Sequence, residues 1–277
     1  MSGAQLSWQL MARVGYTARG IVFLLIGGLS GLAALDASHR VADGKDALRT
    51  LLGQPFGRAL LISIAIGLLC FALWRLSQSI LDADHKGNDL AALARRAVQG
   101  AAGVFYVGFA AVAASIALGW DDGRNSDQLA RGWTAWLLAK PYGQSLIGAI
   151  GVGFIASALA IGVAGCRAEF SRRLALDKQK RGIVTALGTF GFVARAVVYA
   201  MNGCFLMFAA LHAHSSEAKG FAGALRFIRQ QPYGSVLLAI TAVGLLAFGI
   251  YGIAEAASRR ISPPPKPTGR RKMKLAY

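Results

Sequence analysis

The sequence predicts an all-α integral membrane protein: six transmembrane helices in three parallel two-helix repeats about a pseudo-threefold axis. Three observations predict it. Uncharged apolar runs occupy 20–35, 59–74, 97–120, 141–166, 196–216 and 230–254, and a spanning helix needs about 20 apolar residues. A short turn, Gln54-Pro55-Phe56-Gly57, returns as Lys140-Pro141-Tyr142-Gly143 and Gln231-Pro232-Tyr233-Gly234, separated by 86 residues (57 to 143) and 91 (143 to 234). The 277-residue chain is 55% hydrophobic and 16% charged, whereas soluble domains carry about 25% charged residues.

The first two runs have only 16 residues (20–35 and 59–74). Each must therefore take in an arginine near its end, Arg19 and Arg75. A long arginine stem can carry its head to the interface, so neither forbids insertion. Arg13, Arg19 and the run that follows could pass for a signal peptide. However, Gly15-Tyr16-Thr17-Ala18-Arg19-Gly20 matches Gly191-Phe192-Val193-Ala194-Arg195-Ala196 deep in the chain, so the first run is expected to be the retained first helix of a repeat.

Each outer loop carries a short amphipathic segment before its proline: 47–52, 133–138 and 224–229. Apolar residues at i, i+3 and i+4 give one sticky face. These segments are expected to lie flat at the outer interface, with Trp133 and Trp136 at headgroup depth. The residue before a proline is pushed out of helix, and proline suits a first helical turn. The motif residues Gln54, Pro55, Gly57, Pro141, Gly143, Gln231, Pro232 and Gly234 are thus read as the hinge of each repeat. A further glycine lies ten residues beyond each motif glycine, at Gly67, Gly153 and Gly244. Small residues four apart, such as Gly27 and Gly31, favour close helix packing.

The resulting units are 1–81, 82–165 and 166–258, followed by a basic tail at 259–277 that is expected to be disordered. Lysines and arginines number ten in the three proline-side loops and eighteen on the other side. That asymmetry predicts both termini in the cytoplasm. Net charge is +17. No nucleic-acid motif accompanies it, so the charge reads as loop and tail chemistry. Lipid is the expected partner, with anionic headgroups at the tail. A protein partner or homo-oligomer is compatible with this plan; nucleic acid is not expected.

The Gly-Tyr-x-Ala-Arg-Gly opening at 15–20, the Ala-Leu-Arg segment at 47–49, the Gln-Pro-Phe-Gly turn at 54–57 and the triple two-helix plan together resemble a bacterial membrane family catalogued as domain of unknown function 1206. The resemblance covers residues 10–258. Repeat two departs from it, with Lys140 for the glutamine and only a partial arginine match at Arg96. The resemblance implies a bacterial inner-membrane topology. It implies no activity, cofactor or catalytic residue.

Arg19, Arg195 and Arg96 are expected at the cytoplasmic entrance of the odd-numbered spans. Gln78 and Glu255, each 21 residues past its motif glycine, are expected at the matching ends of the even ones. Arg195 with Glu255, and Arg19 with Gln78, are the expected pairs. Ionisable groups within spans are functional candidates. One reading is a basic vestibule that draws anions; the other is a structural pin between helices. Asn202, Gln99, Ser115 and Ser157 are expected to bond across helices. His212 and His214 are two apart with no zinc-like partner spacing. Cys70, Cys166 and Cys204 lie in or beside apolar runs and read as buried thiols. No phosphate loop, dinucleotide fingerprint, zinc-protease motif or nucleophile elbow is present, so no cofactor or metal is expected. A non-catalytic scaffold or envelope role ranks first and a solute transporter or channel on the axis second. A lipid-modifying enzyme ranks last, since no acid–base pair shares one face.

Overall fold

A computed structural model describes residues 3–35, 41, 44–82, 89–168 and 178–258. Among them are nine α-helices and no strand: α1 Gly3–Leu35, α2 Gly44–Leu52, α3 Gly57–Ile80, α4 Leu90–Leu118, α5 Ser126–Leu138, α6 Gly143–Cys166, α7 Lys178–Leu211, α8 Phe221–Arg229 and α9 Gly234–Ser258. The six long ones, α1, α3, α4, α6, α7 and α9, are long and apolar enough to cross a bilayer. Their outward faces carry Leu60, Ile66, Leu73, Leu159, Ile240 and Val243, all exposed. Apolar side chains on that scale need lipid around them. The tail 259–277, residues 83–88 between the first two repeats and residues 169–177 between the second and third lie outside the described residues.

The long helices extend further than the uncharged runs. The spanning part of α1 begins at Trp8 and that of α7 at Arg181. Arg19 and Arg195 therefore lie well inside their helices rather than at an entrance. A helix tolerates them because their heads find aromatic and polar neighbours inside the bundle.

Around the bundle the order is α1, α3, α4, α6, α7, α9 and back to α1. Three seams join successive repeats, and each is extensive: α3 with α4, α6 with α7, α9 with α1. They are cut to one pattern. A Cβ on Gly20 would come within 3.1 Å of Ile253, one on Gly103 within 2.7 Å of Leu76, and one on Gly162 within 3.6 Å of Ala196. Two further seams lie within repeats, α1 with α3 and α7 with α9. Here Gly67 lies against Ala18 and Gly244 against Ala194, with added Cβ atoms at 2.4 and 2.3 Å.

The sixth seam does not form. α4 and α6 scarcely touch, and Gly153, the counterpart of Gly67 and Gly244, has nothing within 4 Å. Ala101, the counterpart of Ala18, is exposed. Repeat two is thus two separated helices, each packed on its neighbour repeat. In the 18-residue apolar window of each span, only 17% of α6 is buried, against 50% of α1 and 56% of α9.

The three motif turns share one geometry. Phe56, Tyr142 and Tyr233 sit at φ 59°, 63° and 60°, a left-handed conformation that costs a bulky residue about 1–2 kcal/mol. Each aromatic is more than 80% exposed and stands where interfacial aromatics anchor membrane proteins. The proline precedes the helix by two residues instead of opening it, because the left-handed aromatic intervenes and reverses the chain. The glycine is required for closeness. A Cβ would lie 2.3 Å from the Leu51 carbonyl oxygen at Gly57, 1.7 Å from that of Leu137 at Gly143 and 1.9 Å from that of Arg229 at Gly234. Gln54 and Gln231 donate backbone N–H bonds to the Leu51 and Ile228 carbonyls at 3.1 and 3.2 Å.

Two of the three short helices differ from expectation. α2 and α8 bury their apolar faces in the protein, with Leu48 and Leu225 fully enclosed. α5 keeps Trp133 and Trp136 exposed, edge-to-face at 5.8 Å. Ion pairs explain the difference. Arg49 of α2 meets Asp121 at 2.6 Å, and Lys45 meets Asp121 and Asp122 at 2.9 and 3.2 Å. Arg226 of α8, the counterpart of Arg49, pairs with Asp127 of α5. Repeat two has Ala135 at that position and supplies the carboxylates to its neighbours. All three outer segments therefore meet at one end of the bundle, as parallel repeats require.

Candidate functional site

The site is an arginine–aromatic cluster inside the bundle, built mainly by repeats one and three. Phe71 of α3 and Phe248 of α9 are equivalent positions, and each is almost fully buried. Their backbones are reached closely by Gly15 and Gly191, where a Cβ would come within 2.6 Å. That approach places Tyr16 edge-on to Phe71 at 5.2 Å and Phe192 edge-on to Phe248 at 5.4 Å. The Arg19 guanidinium lies 4.9 Å from the Phe71 ring centre, and 5.1 Å from those of Tyr16 and Phe248. Arg195 lies 5.0 Å from Phe248, 4.7 Å from Tyr199 and 5.6 Å from Phe23. Arg75 lies 5.0 Å from Phe71. Such contacts are worth about 2 kcal/mol each when desolvated.

The expected pairing is corrected by the geometry. Arg19, not Arg195, holds Glu255, at 2.9 Å with both side chains buried. The reason is the seam between α1 and α9, where Gly20 and Gly249 bring the backbones together and place Arg19 beside Glu255. Arg195 instead donates to the Tyr199 hydroxyl at 2.5 Å, within its own helix, while remaining in electrostatic reach of Glu255. Gln78 accepts from Arg75 at 3.0 Å, the arginine next to the second uncharged run, and not from Arg19.

Arg96 is elsewhere. Matching Gly20–Ile253 with Gly103–Leu76 makes Ala102 the counterpart of Arg19, so repeat two contributes no arginine to the cluster. Arg96 donates to the Ser79 and Ile80 carbonyls at 2.7 and 3.1 Å, closing the end of α3 as a basic C-terminal cap does. Repeat two contributes Tyr106, which lies edge-on to Phe71 at 4.7 Å. Its phenol is within electrostatic reach of Arg19, Arg75, Arg195 and Tyr199.

Two polar atoms of the cluster stand out. The Nε of Arg19 and the Nε of Arg195 are buried with no hydrogen-bond partner among the described residues. Leaving such a group unmet costs about 1–3 kcal/mol, more when it is charged. Glu255 is the one carboxylate in the six spans, and within the cluster it faces the guanidiniums of Arg19, Arg75 and Arg195.

The other candidates behave differently from expectation. Asn202, Ser115 and Ser157 bond back to their own helices, at Val198, Val112 and Gly153, a local bond that needs no neighbour. The α6–α7 seam is crossed by Thr189 to the Gly165 carbonyl and Gln144 to the Ala210 carbonyl. Neither bond is legible in the sequence, since one threonine or glutamine in an apolar run carries no spacing signal. His212 stacks on Phe208, and His214 Nδ1 contacts the His212 carbonyl. Cys70 is half-buried, and Cys166 and Cys204 are exposed, so the expected buried thiols face outward. Among the described residues no cluster of histidine, cysteine and carboxylate groups could hold a metal.

Known proteins place the architecture. The family model described as Domain of Unknown Function (DUF1206) matches three times, at residues 14–82, 98–168 and 190–259. The chain belongs to the DUF1206 family. The three family segments coincide with the three copies of the motif turn and its flanking helices. A Bacillus subtilis (strain 168) relative, "Uncharacterized protein YxxB", is 37% identical over 246 residues, covering 88% of each chain. No solved structure matches. The cluster, the turns and the open seam are thus features of a DUF1206 protein whose relatives bring no activity to it.

Proposed function

We propose that this DUF1206 chain is a non-catalytic, multi-pass protein of the bacterial inner membrane that acts by holding lipid or protein partners rather than by chemistry or transport. The supporting observation is the packed apolar interior that repeats one and three build. Leu48 and Leu225 at the outer end, Leu61, Leu68, Leu238 and Leu245 below them, and Phe71, Phe248, Trp74 and Tyr251 further in form one buried cluster. Interiors packed like that leave no room for a hydrated path between those two repeats. The excess of lysine and arginine away from the proline turns supports cytoplasmic termini. Proteoliposomes loaded with dyes for potassium, chloride and protons test the reading. Fluxes at the level of empty vesicles are expected; a flux that rises with protein content would overturn it in favour of a channel or carrier.

A further inference from the structure

Repeat two leaves a lateral gap in a bundle that is otherwise closed. Its walls are Ala101 and Tyr106 on α4, and Gly153, Phe154 and Ser157 on α6. Phe154 touches Tyr199 at 5.7 Å, and Tyr106 feels Arg195 and Tyr199 electrostatically. Tyr199 is bonded in turn by Arg195, which is half-buried while Arg19 is enclosed, so Arg195 is the guanidinium on the side of the gap. Ser157 occupies the position that Phe71 and Phe248 fill in the other repeats, so this entrance lacks its aromatic plug.

Charge gives the class of ligand. Arg19, Arg75 and Arg195 share one cluster with one carboxylate, Glu255, already held by Arg19. The Arg195 Nε–H has no acceptor among the described residues. A buried guanidinium in a low-dielectric setting calls for an anion, and arginine favours phosphate and carboxylate. Depth gives the source. Arg195 lies sixteen residues from the outer end of α7 (195 to 211), about 24 Å at 1.5 Å per residue. With a hydrocarbon core of about 30 Å, that leaves about 6 Å to the headgroups of the leaflet at the chain termini.

We propose that the α4–α6 gap binds an anionic phospholipid from that leaflet. Its phosphate is bonded by Arg195 and the Tyr106 and Tyr199 hydroxyls, and an acyl chain lies along Gly153 and Phe154. This builds on the reading of the chain as a binding protein, but lipid occupancy is read separately from flux, so either can fail alone.

The test is native mass spectrometry of the full chain in detergent, titrated with phosphatidylglycerol, phosphatidylcholine or inorganic phosphate. One phosphatidylglycerol per chain is expected, retained at least tenfold better than phosphatidylcholine. Arg195→Gln should lower retention at least tenfold. Gly153→Leu should do the same by filling the gap, and it decides the matter if Arg195→Gln fails to fold. A chain with Arg270, Arg271, Lys272 and Lys274 changed to glutamine should keep its lipid. The proposal is overturned if Gly153→Leu binds like the parent, if occupancy follows the tail variant, or if inorganic phosphate occupies Arg195 as well as the lipid does.

Discussion

Glu255→Gln tests the cluster most sharply, because it removes a charge and little else. The residue that replaces Glu255 is the one repeat one already carries at Gln78. Arg19 and Glu255 lie 2.9 Å apart, with side chains 4% and 9% exposed, so solvent does little to screen them. At an effective dielectric of 20 their attraction is about 6 kcal/mol. The net cost of breaking a buried pair is smaller, about 3–5 kcal/mol, and reflects the stranded charge. Glutamine still accepts one bond from Arg19, which recovers about 1 kcal/mol, so about 3 kcal/mol is the expected loss. That is a large share of a typical folding free energy of about 5–15 kcal/mol. Unfolding in mixed micelles, followed by tryptophan fluorescence, should show the shift. Arg19→Gln with Glu255→Gln should cost much less than the sum of the single changes, and the same cycle with Arg195→Gln should show weaker coupling. An unchanged unfolding midpoint for Glu255→Gln, or additive costs for the Arg19 cycle, would refute the reasoning.

Other expectations follow from the seams and the outer clasp. Gly143→Ala puts a Cβ 1.7 Å from the Leu137 oxygen, and overpacking of that kind costs about 1–3 kcal/mol or more; Gly153→Ala meets nothing and should be neutral or stabilising by up to about 1 kcal/mol, so equal unfolding midpoints would contradict the open seam. Arg124 and then Lys45 hold Asp122 at about 2, and Arg49 and then Lys45 lower Asp121 from 3.8. Depressed carboxylates contribute fully above their ordinary value and lose that contribution as pH falls, here from about 4 towards 2. An acid titration of Tm should fall in that window, and Asp121→Asn should blunt the fall. Arg96→Gln removes a cap from α3 and should cost about 1 kcal/mol in the same unfolding assay without changing lipid retention.

Much of the architecture could be read from the repeat. The Pro-aromatic-Gly turn recurs because a carbonyl collision makes its glycine indispensable, and the uncharged runs mark lipid contact directly. Two things could not be read. The ends of the spans are set by helix continuation past Arg19 and Arg195, which a count of uncharged residues misses. The partners of the arginines depend on which helices abut. Spacing along the chain suggested that Arg195 meets Glu255 within its own repeat, whereas the strongest seams join successive repeats and give Glu255 to Arg19. The gap in repeat two was signalled weakly, by Ser157 where its counterparts are Phe71 and Phe248. The loss of arginine at Ala135 was visible, but its meaning depended on where Asp121 and Asp127 sit in space.

The most direct measurement concerns sidedness. Phe56, Tyr142 and Tyr233 are replaced singly by cysteine in a background without Cys70, Cys166 and Cys204, and intact cells are treated with a membrane-impermeant maleimide. Three same-facing repeats require all three positions to label from one side, the periplasmic one if the termini are cytoplasmic. Labelling of one turn from the side opposite to the other two would contradict the threefold plan and everything placed inside it.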